Sequence, residues 1–288
     1  MEPKEFKEKI LQICLDEFYD QSDVENLITE FCRNKPIPML VIEGKFLVRC
    51  RYNFNGEVFN NVSQLSYNPN IEKIVHQRSN YKNQQVFYAS IASDTKYATT
   101  NSTAIMEVCD EYVKKEDLRQ FYITMSRWKI NRPLKVLILS HSNESQIKNL
   151  DFKREKVEFD KIVRENNFQE INNLHDSLEF MSNVFCKYEQ KKYYYRISAA
   201  YYNFLMRVSE YQNAEIDGLI YPSANTEAAG MNIVLRKEMV DKNFISCDYA
   251  VMLKAHRTPN KVTSLMITQA SNEVFVDESG IINFTSIW

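Results

Sequence analysis

Two arginines that lie two residues apart, Arg49 and Arg51, occupy an apolar run that is typical of a β-strand. Because successive side chains of a strand point to opposite faces, both guanidinium groups lie on the same face. They repel each other unless an anion or a carboxylate lies beside them. The planar guanidinium group binds phosphate in bidentate geometry, so the pair indicates a phosphate site. The alternative interpretation is a strand face exposed to solvent.

A second candidate region extends from Asp217 to Leu235 and has a polar loop between two short apolar runs. The runs predict two buried strands, and Ser223 begins the loop. The chain has 5 glycines, and two of them, Gly218 and Gly230, bracket this region. Glycine permits tight turns and close approach of the backbone to another group. The region therefore predicts either a ligand-binding loop or an ordinary strand–loop–strand unit.

A third candidate is Glu107, on a predicted helix that Ser102 caps. Glu107 lies off the apolar stripe of this helix, and the small side chain of Ala104 nearby lets a ligand or a strand approach. The alternative is a carboxylate exposed to solvent, which is the commoner environment of glutamate. The apolar stripe comprises Ile105, Val108, Cys109 and Tyr112.

Charge and motif patterns exclude several classes of function. The net charge of −2 provides no broad basic surface, which argues against nucleic-acid binding. The N-terminus lacks the apolar segment of a signal peptide, and the apolar runs are too short to span a membrane. These features predict a cytoplasmic protein. The sequence also lacks GxGxxG, GxxxxGK[ST] and GxSxG motifs.

Metal-binding patterns are absent from the sequence as well. The four histidines show no HxxxH or HExxH spacing, so the sequence predicts no metal site. The six cysteines form no CxxC pair, and we interpret them as buried free thiols. The histidines are His76, His141, His175 and His256.

The order of predicted elements indicates an α+β fold, because strands and helices do not alternate regularly. Residues 4–34 predict two amphipathic helices, the first with apolar positions from Phe6 to Phe18 and the second capped by Ser22. Residues 1–38 form an N-terminal helical extension that we expect to pack on the main domain, residues 39–288. Met39–Arg51 predicts a hairpin with its turn at Glu43–Gly44. Further predicted strands are Val86–Ala92, Phe121–Ile130, Leu134–Ser140, Ile245–Lys254, Val262–Gln269 and Glu273–Phe284.

Five blocks of sequence occur in a recognisable order: Leu47–Arg51, Arg78–Ser90, Thr103–Val108, Asp217–Ser223 and Gly230–Leu235. Together they resemble the RES-domain family, which is named for its arginine, glutamate and serine positions. Each block is weak alone, and their shared order makes the resemblance specific.

The chain departs from the family pattern at two points. Gln77 replaces the glycine that precedes Arg78, and the interval between Tyr88 and Glu107 is longer than in compact members. Either Arg49 or Arg51 matches the first family arginine, and we assign Arg49.

The resemblance implies an ADP-ribosyltransferase-like fold that binds NAD and cleaves its nicotinamide–ribose bond. It implies that Arg49, Glu107 and Ser223 are catalytic and that NAD is a substrate, with no other cofactor. Arginines would bind the pyrophosphate, and Tyr88 would stack on nicotinamide. Glu107 would stabilise positive charge on the ribose, and Ser223 would hold the nicotinamide amide or the ribose without acting as a nucleophile. The implied substrate-binding residues are Arg51, Arg78, Asn80, Tyr88, Tyr221 and Asn232.

Three functions are compatible with these residues. The first is an NAD glycohydrolase or phosphorylase, with water or phosphate as the acceptor. The second is a protein ADP-ribosyltransferase, and the third is a non-catalytic interaction module. Many members of the family are toxins inhibited by a separately encoded Xre-type antitoxin, so the resemblance implies a toxin or defence effector. The partners to consider are NAD, an antitoxin or immunity protein, and a second copy of the chain.

Overall fold

The computed structural model describes residues 1–16, 18–113, 120–186, 191–257 and 265–285, which form an α+β fold. The α-helices are α1 Pro3–Leu15, α2 Gln21–Cys32, α3 Thr100–Val113, α4 Asn143–Lys148, α5 Leu150–Glu165, α6 Ile171–Cys186, α7 Lys191–Tyr211 and α8 Glu238–Asp241. The strands are β1 Met39–Ile42, β2 Phe46–Tyr52, β3 Val86–Ile91, β4 Gln120–Ile130, β5 Leu134–Ile138, β6 Gly218–Pro222, β7 Met231–Arg236, β8 Ile245–Arg257, β9 Leu265–Gln269 and β10 Val274–Phe275.

All ten strands belong to one mixed sheet in the order β1-β5-β6-β7-β3-β2-β4-β8-β10, and β9 also pairs with β8. Among the described strands, β5 and β6 form the one parallel pair. This arrangement confirms the predicted α+β class. It also places β6, β7, β3 and β2 side by side in the middle of the sheet, although they come from distant parts of the chain.

The sheet opens between β2 and β3. These strands pair only at Leu47 with Ile91 and at Val48 with Ser90. By contrast, β2 pairs with β4 along its whole length, and β3 pairs with β7 along its whole length. Beyond Val48 the two strands therefore separate, and their backbones no longer form hydrogen bonds with each other. This gap positions the site described below.

The N-terminal helices pack on the rest of the chain, as predicted. Phe6 and Ile28 are fully buried in a core shared with α6 and α7. The rings of Phe6 and Phe31 stack with centroids 3.7 Å apart. Two local predictions were wrong. Asp20 rather than Ser22 caps α2, by accepting a hydrogen bond from the Ser22 amide. Phe18 is 93% exposed because α1 ends at Leu15.

The predicted hairpin at Met39–Arg51 is wrong. β1 pairs antiparallel with β5, from Met39 with Leu137 to Ile42 with Leu134, whereas β2 pairs with β4 and β3. Gly44 does provide a left-handed turn, with φ of 64°. The turn sends the chain from one edge of the sheet to its middle, so proximity in sequence did not decide the pairing.

The last predicted strand, Glu273–Phe284, is also much shorter in the structure. Only Val274–Phe275 pairs, with β8, and Ile281 forms an isolated bridge to Asn61. Asp277 accepts hydrogen bonds from Ser279, which closes a turn instead of extending the strand. The start of the predicted strand Val262–Gln269 lies outside the described residues.

Helix α3 lies over β2. Val48, Cys50 and Ala104 form a small buried cluster between them. The sequence analysis expected either a ligand or a strand to approach Ala104. In the structure a strand, β2, packs against its small side chain. Thr99, rather than Ser102, caps the helix: the Ser102 amide donates to Thr99 Oγ1 at 3.0 Å, and the Thr99 amide donates to Ser102 Oγ at 2.8 Å.

Candidate active site

A cavity of about 880 Å³ lies where β2 and β3 separate. Its wall includes parts of β2, β3, β6, β7, α3 and α7, and residues 75–78 of the loop before β3. The volume falls within the range of small-molecule and cofactor sites. Several sequence-predicted residues meet at this wall: Arg49, Arg78, Tyr88, Glu107, Tyr221 and Asn232.

The carboxylate of Glu107 is held by three side chains from the β6–β7 region. Its Oε1 accepts hydrogen bonds from Ser223 Oγ at 2.6 Å and from Asn232 Nδ2 at 2.6 Å. Its Oε2 accepts from Asn225 Nδ2 at 2.8 Å. Such short bonds to a charged acceptor are strong. An ionised carboxylate has about four acceptor positions, so one position stays available to a ligand. The side chain is exposed at the cavity.

Ser223 reaches Glu107 from a buried position. Its side chain is fully buried and does not line the cavity. Its amide donates to the Gly230 carbonyl at 2.9 Å, which closes the base of the β6–β7 loop. In that loop Glu227 and Ala228 both have positive φ, a conformation that costs free energy in residues other than glycine. The loop is therefore held in one shape, and Ser223 orients the carboxylate.

Gly230 allows the loop to approach α3. A Cβ atom at this position would lie 2.2 Å from Thr103 Oγ1 and 3.0 Å from Thr103 Cβ. Thr103 lies one turn before Glu107 on the same helix. The sequence predicted that another group approaches the backbone at Gly230. In the structure that group is helix α3.

Replacement of Gly230 with alanine is expected to lower the free energy of unfolding by about 1–3 kcal/mol, because the added methyl group overpacks the loop against α3. Displacement of α3 also moves Glu107 away from its donors. Urea unfolding measures the stability effect. In a double-mutant cycle, Thr103→Ala should offset part of the loss caused by Gly230→Ala. If the effects of the two substitutions on the free energy of unfolding simply add, the contact with Thr103 does not limit how closely the loop approaches α3.

Arg49 fills the gap between the two strands. Its Nε donates to the Leu65 carbonyl at 3.0 Å, and its Nη1 donates to the Tyr88 carbonyl at 2.7 Å. Burial, with a smaller effect of Arg51, lowers the pKa of Arg49 to about 10, so the group stays charged at pH 7. A guanidinium has five N–H donors, so others are available to a ligand.

Arg51 is not brought to the cavity. Its guanidinium donates to the Gln64 carbonyl and lies over the Phe59 ring, 4.9 Å from the centroid. Although Arg51 shares a strand face with Arg49 and its neighbours Cys50 and Tyr52 line the cavity, its own side chain is held at Gln64 and Phe59. The structure therefore distinguishes the two arginines, which the sequence could not do.

Arg78 and Tyr88 line the cavity, whereas Asn80 supports them from behind. The Arg78 guanidinium donates to the Phe185 carbonyl. The Tyr88 hydroxyl accepts from the Ser79 amide at 2.8 Å and donates to Asn80 Oδ1 at 2.9 Å. The hydroxyl thus both accepts and donates a hydrogen bond within the protein. Asn80 is 1% exposed and contacts the loop rather than the cavity.

Asn225 is a site residue to which the sequence analysis assigned no role. Its position in the polar loop after Ser223 was a usable signal, because short amides in such loops often bind nearby groups. No comparable signal marked Tyr19, His76 or Arg196, which also line the cavity. The Arg196 guanidinium lies over the Tyr19 ring, 3.8 Å from its centroid. Tyr19 reaches the cavity only because the N-terminal helices pack on α7.

The charged side chains at the cavity favour an anionic ligand. Three arginines, Arg49, Arg78 and Arg196, line it together with the carboxylate of Glu107. Positive charge in a low-dielectric cleft concentrates anions. His76 adds no fixed charge, because burial lowers the pKa of its imidazole below the usual range. The cavity can thus bind an anion, and Glu107 provides the one carboxylate among its described lining residues.

Comparison with known proteins assigns the chain to no family. No protein-family model matches it, and no curated protein matches it significantly. Among the described residues, none of the helices has the length and apolar character needed to cross a membrane.

Proposed function

We propose that this protein is an NAD-consuming enzyme of ADP-ribosyltransferase-like architecture that cleaves the nicotinamide–ribose bond. The observation that carries this proposal is the Glu107 carboxylate, fixed by three donors at the edge of an arginine-lined cavity. The resemblance to the RES-domain family supports it, because its arginine, glutamate and serine positions correspond to Arg49, Glu107 and Ser223.

The arginines provide the binding site for the pyrophosphate of NAD in this proposal. Arg49 uses two of its donors on backbone carbonyls, which fixes the direction of the guanidinium plane. Its remaining donors, with those of Arg78, form charge-assisted hydrogen bonds to phosphate oxygens. Tyr88 lines the cavity and its hydroxyl is already bonded, so in this proposal the ring is the part of the side chain that contacts nicotinamide.

Cleavage places positive charge on the ribose beside Glu107. The bond between the ribose carbon and the nicotinamide nitrogen breaks, and its electron pair leaves with nicotinamide as the neutral base. The carboxylate stabilises the oxocarbenium character that develops on the ribose. A water molecule then forms a bond to that carbon and releases a proton to solvent. Because three donors fix the carboxylate beforehand, little reorganisation is needed during the reaction.

Ser223 is a positioning residue in this proposal. Its buried hydroxyl donates to Glu107 and does not line the cavity. Asn232 has a similar role but also lines the cavity, and its Oδ1 accepts from Ser90 Oγ at 3.1 Å. This assignment replaces the direct contact with nicotinamide or ribose that the resemblance implied for Ser223.

Product analysis tests the proposal and identifies the acceptor. Purified protein is incubated with NAD labelled in its adenine part, with and without inorganic phosphate, and in the presence of cell extract. We expect free nicotinamide and ADP-ribose, or a phosphorylated ADP-ribose when phosphate is the acceptor. Labelled protein would indicate the alternative, an ADP-ribosyltransferase. Absence of nicotinamide under all three conditions would contradict the proposal and favour an interaction module.

Depletion of NAD also predicts toxicity. Expression of the chain in a bacterial host should arrest growth, with a fall in cellular NAD that precedes the arrest. The Glu107→Gln variant at equal expression should permit growth, because its effect is on turnover rather than on folding. If a wild-type protein that is active in vitro leaves growth and NAD unchanged, the proposed toxin role is wrong.

A further inference from the structure

Three potential metal ligands meet on the helical side of the molecule, in a group we call the His–Asp–His cluster: His141, Asp160 and His175. His141 follows β5, Asp160 lies on α5, and His175 lies on α6. Their ligating atoms all lie within 4.8 Å of one another. Asp160 Oδ1 is 2.9 Å from His175 Nε2 and 3.9 Å from His141 Nε2. Spacing rules could not predict this cluster, because each ligand comes from a different element.

The ligating atoms of the cluster are buried and unused. His141 Nε2, Asp160 Oδ1 and His175 Nε2 have no hydrogen-bond partner within the described part of the chain. His141 is 2% exposed, and its other ring nitrogen lies 3.4 Å from Ser140 Oγ. An unpaired polar atom in the interior costs free energy unless it gains a partner. A cation between the three atoms supplies a partner to all of them.

The ligand types favour a first-row transition cation over Mg²⁺ or Ca²⁺. Imidazole nitrogen with carboxylate oxygen is a ligand set of Zn²⁺, and three protein ligands with one water molecule complete a tetrahedral site. Lys156 lies one turn before Asp160 and donates to Asp160 Oδ2 at 2.5 Å. This contact orients the carboxylate with Oδ1 towards the histidines, as supporting residues around metal sites do.

We propose that the His–Asp–His cluster binds a Zn²⁺ ion that joins α5 and α6 to the end of β5. The His141 amide donates to Ser182 Oγ on α6 at 3.2 Å, so the backbone already links two of these elements. Helix α6 also carries Phe185, whose carbonyl accepts from Arg78 at the cavity. The ion would stabilise the helices behind the cavity and would not take part in NAD cleavage.

Metal binding to the full-length protein tests the proposal. Protein treated with EDTA and dialysed is titrated with Zn²⁺ against a chromophoric chelator, and its melting temperature is recorded with and without Zn²⁺. We expect one Zn²⁺ per chain and a rise in melting temperature of about 5 °C at a hundredfold excess over Kd. Mg²⁺ should produce no rise, because it prefers oxygen ligands.

The decisive variant is His175→Gln, since this side chain is 25% exposed and its loss should leave the fold intact. We expect Zn²⁺ affinity to fall at least about 10-fold, as loss of even a supporting residue does. The matched control is His256→Gln, which removes a histidine on β8 and should bind Zn²⁺ like the wild type.

Substitution of Co²⁺ provides a second readout: visible absorption typical of tetrahedral coordination should appear in the wild type and disappear in His175→Gln. Absence of Zn²⁺ binding, or equal binding by wild type and His175→Gln, would overturn the proposal. In that case Lys156, Asp160 and His175 form only a network of ion pairs.

Discussion

Replacement of Glu107 with glutamine is expected to reduce NAD cleavage at least about 100-fold, because the variant cannot offset positive charge on the ribose. The fold should be retained. The amide oxygen can occupy the position of Oε1, where Ser223 and Asn232 donate. The new amide nitrogen would face Asn225, whose side-chain amide can turn to offer its oxygen instead. Turnover is measured as nicotinamide release, and folding by circular dichroism and thermal melting.

The matched control for this variant is Glu158→Gln, which makes the same chemical change at an exposed position on α5. It should cleave NAD at the wild-type rate. Wild-type turnover by a folded Glu107→Gln protein would show that this carboxylate does not take part in the reaction.

Replacement of Arg49 with lysine should lower kcat/KM about 100-fold, because lysine keeps the charge but loses the planar fork of donors. In the wild type that fork donates to the Tyr88 carbonyl on β3 and to the Leu65 carbonyl in the segment that follows β2. A lysine ammonium lacks a planar set of donors, so it cannot donate to both carbonyls and to a phosphate at the same time. The steady-state rate is measured over a range of NAD concentrations.

Arg51→Lys is the control for this prediction. Arg51 lies two residues further along β2, on the same strand face, but its guanidinium contacts Gln64 and Phe59 outside the cavity. Its kcat/KM should stay within about threefold of the wild type, since charged substitutions away from a site have small effects. Equal losses in the two variants would point to a general effect on the strand rather than to phosphate binding by Arg49.

Local patterns in the sequence predicted most elements but not how they pair. The apolar run Met39–Ile42 was correctly predicted as a strand, yet its partner is β5 rather than the neighbouring β2. Strand pairing depends on contacts between distant segments, and side-chain periodicity carries no information about them. The same reason explains the shortened C-terminal strand, where the hydrogen bonds of Ser279 to Asp277 favour a turn.

The site was predictable to the extent that its residues lie in distinctive local patterns. Arg49, Glu107 and Ser223 were selected by strand alternation, by position off an apolar stripe and by a glycine-bracketed loop, and the resemblance grouped them. Ser223 and Glu107 are 116 residues apart, and their contact requires the sheet order that places β7 next to β3 and β6 next to β7. Tyr19 could not be predicted, because its place at the cavity follows from packing of the N-terminal helices.

The most direct test of the central claim is a crystal structure of the Glu107→Gln variant with intact NAD. We predict NAD in the cavity between β2 and β3, with its pyrophosphate on Arg49 and Arg78. The ribose carbon that bears nicotinamide should lie beside position 107, and the nicotinamide ring should contact Tyr88. NAD bound elsewhere, or bound in the cavity with that carbon remote from position 107, would contradict the proposed function.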